Sequence, residues 1–161
     1  MQSSRWILVA LSMPALVLAQ LSEGDVEVVL VAERLRIELT PDGREIRRFE
    51  PARQIRVDEE VYYTVRVRNT TDRPLYPVVV TRPVPENTTY VPGSAVAPAA
   101  TVTFSVDDGR TFAEPNALTV TSSEGQVRSA VPGDYTHIRW QFGYPLAAGA
   151  TAIARFRVIL E

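Results

Sequence analysis

Apolar and polar side chains alternate along most of the chain after residue 24, and no stretch there has a helical period. In residues 61–68 the odd positions are apolar and the even positions are mostly polar. Because successive side chains of a strand point to opposite faces, this segment is expected to bury one face and expose the other. Pro, Gly, Asn and Asp separate such segments, which is typical of an all-β fold.

The same alternation predicts further strands at residues 75–81, 101–106, 118–121, 135–142 and 151–160. Trp140 and Phe156 each stand on the apolar face of their segment. We expect the core to form around Tyr63, Val65, Trp140 and Phe156. Short strands separated by turns favour an immunoglobulin-like Greek-key β-sandwich of about seven to nine strands.

The first strand, residues 25–39, is long, and its apolar face changes partway. The apolar positions are even at Val26, Val28 and Leu30, and odd at Leu35, Ile37 and Leu39. A shift of one residue turns every side chain to the other face, so the change predicts a bulge or a strand that passes from one sheet to the other.

Two interpretations of this strand remain open. In the first, it is an edge strand that switches sheets. In the second, its N-terminal half is a donor strand that completes a neighbouring subunit by β-strand addition. The residues of this assembly element would be Val26, Val28, Val29, Leu30 and Val31.

The N-terminus has the parts of a secretory signal peptide over residues 1–19: Arg5, an apolar run at residues 6–18, and a small residue at the boundary. The run is shorter than the roughly 20 apolar residues that cross a bilayer. The mature chain would start near Gln20, with an N-terminal strand and hairpin over residues 20–57 and the sandwich over residues 58–161. No membrane span is expected after cleavage, and the protein would be secreted to the cell surface, the exterior or the periplasm.

The charge distribution argues against nucleic-acid binding, because the formal net charge is −2 and both signs are interspersed. The chain has no Cys, so its stability must come from its core, and contacts with neighbouring subunits are a second candidate source. The Arg-rich stretch at residues 44–56 predicts a solvated hairpin face. A contact surface for an acidic wall polymer is the alternative.

Six short motifs resemble, in their order, the conserved repeat domain (domain of unknown function eleven) of bacterial and archaeal surface proteins. They are Val61-Tyr-Tyr-Thr-Val-Arg-Val-Arg-Asn69, Val78-Val-Val-Thr-Arg-Pro-Val-Pro85, Thr89-Tyr-Val-Pro-Gly-Ser-Ala95, Phe104-Ser-Val-Asp-Asp-Gly-Arg-Thr-Phe112, Ile138-Arg-Trp140 and Leu146-Ala-Ala-Gly149. The resemblance implies an immunoglobulin-like sandwich in a secreted or wall-associated protein with a structural or adhesive role and no catalytic residues.

The chain departs from that family in two respects. Arg82 occupies a position where an acidic residue often precedes the proline, and the domain occurs once instead of in a tandem array. A single copy cannot form a stalk by repetition. The departure therefore favours assembly with itself or with other surface proteins.

Reactive side chains are scarce. His137 is the one histidine, and with no Cys and no Gly-x-Ser-x-Gly sequence the chain lacks the usual signs of nucleophilic catalysis or of a zinc site. Asp107 and Asp108 are calcium candidates, but two carboxylates fall short of the six to eight oxygens that Ca²⁺ takes, and Asp-Gly is typical of a hairpin turn. We expect no enzyme activity and no cofactor.

The sequence thus predicts a secreted, non-enzymatic structural or adhesive module of the cell envelope or surface. Its partners would be copies of itself, joined by strand donation into filaments, or other envelope proteins. The alternative is a periplasmic or extracellular carbohydrate- or protein-binding domain, for which the exposed aromatic candidates are Tyr62, Tyr76 and Tyr144.

Overall fold

A computed structural model describes residues 24–161, and the predicted signal peptide at residues 1–19 lies outside this part. The described residues form ten strands: β1 (Val26–Leu39), β2 (Glu45–Pro51), β3 (Glu60–Asn69), β4 (Val78–Pro83), β5 (Thr88–Tyr90), β6 (Ala100–Ser105), β7 (Thr119–Thr121), β8 (Val127–Ser129), β9 (His137–Phe142) and β10 (Thr151–Leu160). The helical elements among them are single 3-10 turns at Pro115–Ala117 and Pro132–Asp134.

The strands form two larger sheets and a ribbon, all antiparallel. One sheet has five strands in the order β2-β1-β3-β10-β5, and the other has three in the order β4-β9-β6, while β7 and β8 form the separate ribbon. The predicted all-β, antiparallel class is confirmed. The count of ten strands exceeds the seven to nine expected.

Buried side chains of both sheets form one core. Val65 and Trp140 are fully buried, and the ring of Phe156 lies 4.9 Å from the ring of Tyr63 and 5.8 Å from that of Trp140. Burying a large apolar side chain stabilises a fold by about 1.5–3 kcal/mol. This aromatic cluster is therefore a large part of what holds the five-stranded sheet against the three-stranded one.

The strand bounds follow the alternation closely where the strands are long. β10 has the predicted bounds, and β3 extends its prediction by one residue at each end. β4 starts at Val78 instead of residue 75, because Leu75 makes an isolated bridge to Leu146 before the strand begins. β5 and β8 were not predicted, since each has only three residues and shows too little alternation to be recognised.

β1 neither bulges nor changes sheets, so both of those expectations are wrong. Its residues 26–33 pair with β3 and its residues 33–39 pair with β2, each in one unbroken register within the five-stranded sheet. The strand simply changes partner at Glu33.

The change of apolar face along β1 has another cause. Even residues of the N-terminal half face the core with Val65 and Val67 of β3, and Val26 and Val28 pack there. Beyond Ala32 the strand passes the end of the sandwich, and the same face carries charges instead. The odd face carries Val29, Val31, Leu35, Ile37 and Leu39, with the charged Glu27 and Glu33 among them.

Asn69, the last residue of β3, is fully buried and joins two loops through its side chain. Its Nδ2 donates to the carbonyl oxygen of Arg73 at 2.7 Å and to that of Leu146 at 2.9 Å. Its Oδ1 accepts a hydrogen bond from the backbone N–H of Thr71 at 2.9 Å.

These two loops carry the chain from the five-stranded to the three-stranded sheet and back, after β3 and after β9. The backbones of Leu75 and Leu146 also exchange hydrogen bonds of 2.9 Å across them. Asn69 therefore fixes both crossings at this end of the molecule.

We expect Asn69→Ala to lower the free energy of unfolding by about 2–4 kcal/mol, because it leaves buried backbone groups without partners at about 1–3 kcal/mol each. Denaturant titration followed by Trp fluorescence measures this. Asn116→Ala, at an exposed asparagine, is the matched control and should change the stability by less than about 0.5 kcal/mol. Equal losses in the two variants would contradict a special role for Asn69.

Candidate functional site

A projecting hairpin, residues 34–51, extends β1 and β2 beyond the sandwich. On one face it places Leu35 opposite Phe49, Ile37 opposite Arg47, and Leu39 opposite Glu45. Three of its apolar side chains are largely exposed: Ile37 at 53%, Leu39 at 73% and Phe49 at 56%. Exposed apolar residues grouped on one face are typical of an interaction site.

The other face of the projecting hairpin is charged. Arg34 lies 3.5 Å from Glu50 and 3.7 Å from Glu59, and Arg36 lies 3.4 Å from Glu50. Such exposed pairs contribute little to stability, about 0–1 kcal/mol each. They keep this face in water, so an apolar partner would contact the opposite face.

At the base of the hairpin, a depression of about 300 Å³ opens on the outer face of the five-stranded sheet. Its walls include Phe49, Tyr62, Val96, Arg155 and Arg157. The rings of Phe49 and Tyr62 meet edge to face at 5.2 Å, and the Arg157 guanidinium carbon lies 5.6 Å from the centre of the Tyr62 ring. The depression thus combines aromatic walls with two guanidinium groups, but Glu33 also lines it and the Arg157 guanidinium is ion-paired with Glu60 at 2.9 Å.

Among residues 24–161, the N-terminal half of β1 has a partner strand on one edge only. β3 covers one edge of residues 26–33, but β2 pairs with the other edge only from Glu33 onward. In an antiparallel ladder successive residues direct their backbone groups to opposite sides. The Asp25 carbonyl accepts a hydrogen bond from Thr70 beside β3, and the Ala32 carbonyl accepts one from Ala52 beside β2. The odd residues of β1 therefore direct their backbone groups toward β3, and the even residues direct theirs to the open edge.

All five predicted assembly residues lie in this part of the chain's own five-stranded sheet. By register Val26, Val28 and Leu30 face the core side, and Val29 and Val31 face outward. Val29 and Leu30 are 43% and 45% exposed. The segment is therefore paired along one edge and open along the other, within residues 24–161.

The projecting hairpin was not predicted as an apolar site, because the many arginines of residues 44–56 indicate a solvated face. The signal that identifies the apolar face of the hairpin is spread over both strands. Phe49 alternates with charged neighbours on β2, and Ile37 and Leu39 alternate with charged neighbours on β1. That signal becomes visible only when the two strands are paired.

His137 lies next to Ser105 and Asp107, although their bonding is not that of a catalytic triad. His137 is directly opposite Ser105 in the β6–β9 ladder. The Ser105 hydroxyl donates to Asp107 at 2.7 Å, while the His137 Nδ1 lies 3.2 Å from the hydroxyl of Thr136. Ser105 is fully buried, so its hydroxyl does not reach solvent, and its hydrogen bond goes to Asp107 and not to His137.

Asp107 organises its own loop. Its carboxylate accepts hydrogen bonds from the Thr111 hydroxyl at 2.6 Å, the Thr111 N–H at 2.9 Å and the Arg110 N–H at 3.1 Å. The bonds from Thr111, and then that from Ser105, hold the pKa of Asp107 well below its usual range. Asp108 takes a left-handed φ of 59° beside Gly109, as a turn requires.

These contacts occupy most of the Asp107 carboxylate and leave little of it for a cation. Within residues 24–161 no three His, Asp or Glu side chains are grouped closely enough to hold a metal ion. The same part of the chain has no helix with the length and apolar character to cross a membrane.

The three aromatic candidates for carbohydrate binding do not converge. Tyr62 lies near the start of β3, on the outer face of its sheet. Tyr76, which is 62% exposed, and Tyr144 lie in the loops that Asn69 joins, beyond the other end of β3. Tyr62 and Asn69 are seven residues apart along β3, about 23 Å at 3.3 Å per residue.

Comparisons of the chain with protein-family models, curated proteins and solved structures found no match. The candidate site therefore rests on the geometry of the projecting hairpin, the depression at its base and the open edge of β1.

The lowered pKa of Asp107 predicts a pH dependence of stability. A carboxylate whose pKa is lower in the folded than in the unfolded chain stabilises the fold above its unfolded pKa, and this stabilisation is lost as the pH falls through the folded value. We expect thermal melts of Asp107→Asn to depend less on pH below about pH 4 than those of the unaltered protein. Asp108→Asn, at the neighbouring exposed carboxylate, is the control and should retain the original pH profile.

Proposed function

We propose that this protein is a secreted, non-enzymatic structural or adhesive module of the cell envelope or surface that associates through its exposed strands. The observation that carries the proposal is the projecting hairpin, which presents Ile37, Leu39 and Phe49 to solvent beside an open strand edge. A chain that worked alone would gain nothing from this exposed apolar surface.

We propose further that the fold is an immunoglobulin-like Greek-key sandwich. The chain crosses between the two sheets from β3 to β4, from β4 to β5, from β5 to β6 and from β9 to β10. This interleaving is typical of Greek-key sandwiches. If β1, β3, β4, β5, β6, β9 and β10 are taken as the seven main strands, the fifth and seventh exchange places relative to a constant-type immunoglobulin domain.

The chemistry of the described residues supports a non-enzymatic role. The Ser105 hydroxyl, opposite His137 in the ladder, is buried and donates to Asp107, whose carboxylate is occupied by its own loop. The Thr136 hydroxyl lies 3.2 Å from the His137 Nδ1, but it donates to the carbonyl oxygen of Ser105. A general base must come within hydrogen-bond reach of the proton it takes. The signal-peptide pattern at residues 1–19 supports export.

The proposal predicts that the mature chain from Gln20 forms species larger than a monomer as its concentration rises. Size-exclusion chromatography with light scattering, together with negative-stain microscopy, measures this. Ile37→Ser, Leu39→Ser and Phe49→Ser combined should reduce the average mass, because each substitution removes exposed apolar surface.

Val127→Ser is the matched control, since Val127 is 67% exposed but lies on the β7–β8 ribbon. Both variants should melt near the temperature of the unaltered protein. A mature chain that stays monomeric at every concentration would contradict self-association, and a hairpin variant that associates as well as the control would remove the hairpin from the interface.

A binding domain for carbohydrate or protein is the second candidate, favoured by the depression between Phe49, Tyr62 and Arg155. Because Arg157 is paired with Glu60, the aromatic walls and the Arg155 guanidinium are the groups that suit a ligand with an apolar face and an anionic group. We expect Tyr62→Ala to abolish any glycan-array signal and Tyr76→Ala to leave it intact, since Tyr76 lies far from the depression. An array without signal would remove carbohydrate binding.

A further inference from the structure

The open edge of β1 is a short, bounded segment. At one end the chain leaves the strand at Gly24, whose carbonyl accepts from the Thr70 hydroxyl at 2.8 Å on the side away from this edge. At the other end the Ala32 carbonyl is occupied by the N–H of Ala52 at 3.0 Å. Between them Val26, Val28 and Leu30 direct their backbone groups outward.

We propose that two copies of this chain pair through this segment, antiparallel and about a two-fold axis near Val28, so that their five-stranded sheets become one continuous sheet. The inference rests on the proposed self-association and specifies its first step. It differs from strand donation because β1 stays paired with β3 in its own copy.

The backbone pattern of the segment is complementary to itself. With the axis at Val28, Val28 faces Val28 of the second copy, and Val26 faces Leu30 of the second copy. All of these are residues whose N–H and C=O groups point to the open edge, so each facing pair exchanges two hydrogen bonds. The segment has an odd number of such residues, which places the axis on the central one.

The side chains are complementary as well. Val26 would cover Leu30 of the second copy, which is 45% exposed in the single chain. On the outer face Glu27 would lie opposite Val29 of the second copy, so no like charges stand directly opposite each other. Cross-strand apolar pairs contribute about 0.2–1 kcal/mol each, and like charges would oppose pairing.

The segment also lacks the features by which proteins protect exposed edges. Edge strands are commonly blocked by proline, by charged side chains or by bulges. The strands of the projecting hairpin carry charges at Arg34, Arg36 and Glu38, and β2 ends at Pro51. Residues 26–32 contain one charge, Glu27, no proline and no bulge.

Single cysteines test the pairing directly, since the chain has no Cys of its own. Residues that face each other in such a pair have Cα atoms about 5.5 Å apart, within the span of a disulfide. We expect mature Val28→Cys to cross-link into dimers under mild oxidation. Val26→Cys and Leu30→Cys should cross-link at least about tenfold less, because each would lie about 13 Å from its counterpart, four residues along the strand.

Val127→Cys is the control for random collision, since Val127 is exposed but lies on the β7–β8 ribbon. Ile37→Cys reports contacts made through the projecting hairpin. Strong cross-linking at Ile37 and none at Val28 would overturn the pairing and leave the proposed self-association standing. A mature chain that is monomeric at all concentrations would overturn both.

Proline substitutions, which remove a backbone N–H, provide a second, independent test. Val28→Pro removes an N–H that points to the open edge, so we expect loss of the dimer with a melting transition still present. Val29→Pro removes an N–H that pairs with β3 and should reduce the melting temperature strongly. If Val28→Pro fails to fold, Leu30→Lys replaces it as the test. This substitution places a charge at the same edge and should also yield monomers. Retention of dimers in the folded edge variants would overturn the proposal.

Discussion

The buried side chain of Asn69 is the interaction on which the arrangement of the two sheets most depends. It sits at the end of β3, where the chain leaves the five-stranded sheet, and its amide nitrogen reaches the loop by which the chain returns before β10. A buried amide is stable only where its donors and acceptor are satisfied, and here the backbones of both loops satisfy them. The two crossings are therefore positioned together, and the core residues that follow each crossing meet in register.

A second constraint is the unequal size of the two sheets. Five strands pack against three, so part of the larger sheet has no apolar layer opposite it. β3 and β10 occupy the covered centre, where Val65, Ala154 and Val158 are fully buried. β1 lies further out. Its N-terminal half still contacts the core, while its C-terminal half and β2 project beyond it, and this overhang produces both the open edge and the exposed apolar hairpin face.

The long strands could be predicted from the sequence because their alternation lasts for several residues and reflects one buried face. β3, β9 and β10 all satisfy that condition. The behaviour of β1 could not be predicted in the same way. Alternation shows which face of a strand is apolar but not where the opposing sheet ends. The charges at Arg34 and Arg36 therefore suggested a change of face, whereas they mark the limit of the core.

The candidate site was only partly visible for a similar reason. The apolar segment at residues 26–31 was recognised from its composition, but its open edge depends on where β2 ends relative to β3, which is a fact of three-dimensional pairing. The proximity of Ser105, Asp107 and His137 was also invisible, since the ladder between β6 and β9 brings them together. Their roles follow from bond partners that no sequence pattern specifies.

Strand donation and edge pairing place different demands on β1. Donation requires that its eight pairs with β3 separate and that Val26 and Val28 leave the core, before a neighbour restores the same contacts. Since a folded domain is stable by only about 5–15 kcal/mol, losing this eight-pair ladder would cost a large part of that stability, and exchange of this kind would be slow. Edge pairing breaks no contact in either copy and would equilibrate quickly. It is also isologous and closes at two copies, so any larger assembly must use a second surface, and the projecting hairpin is the exposed apolar surface that both copies would still present.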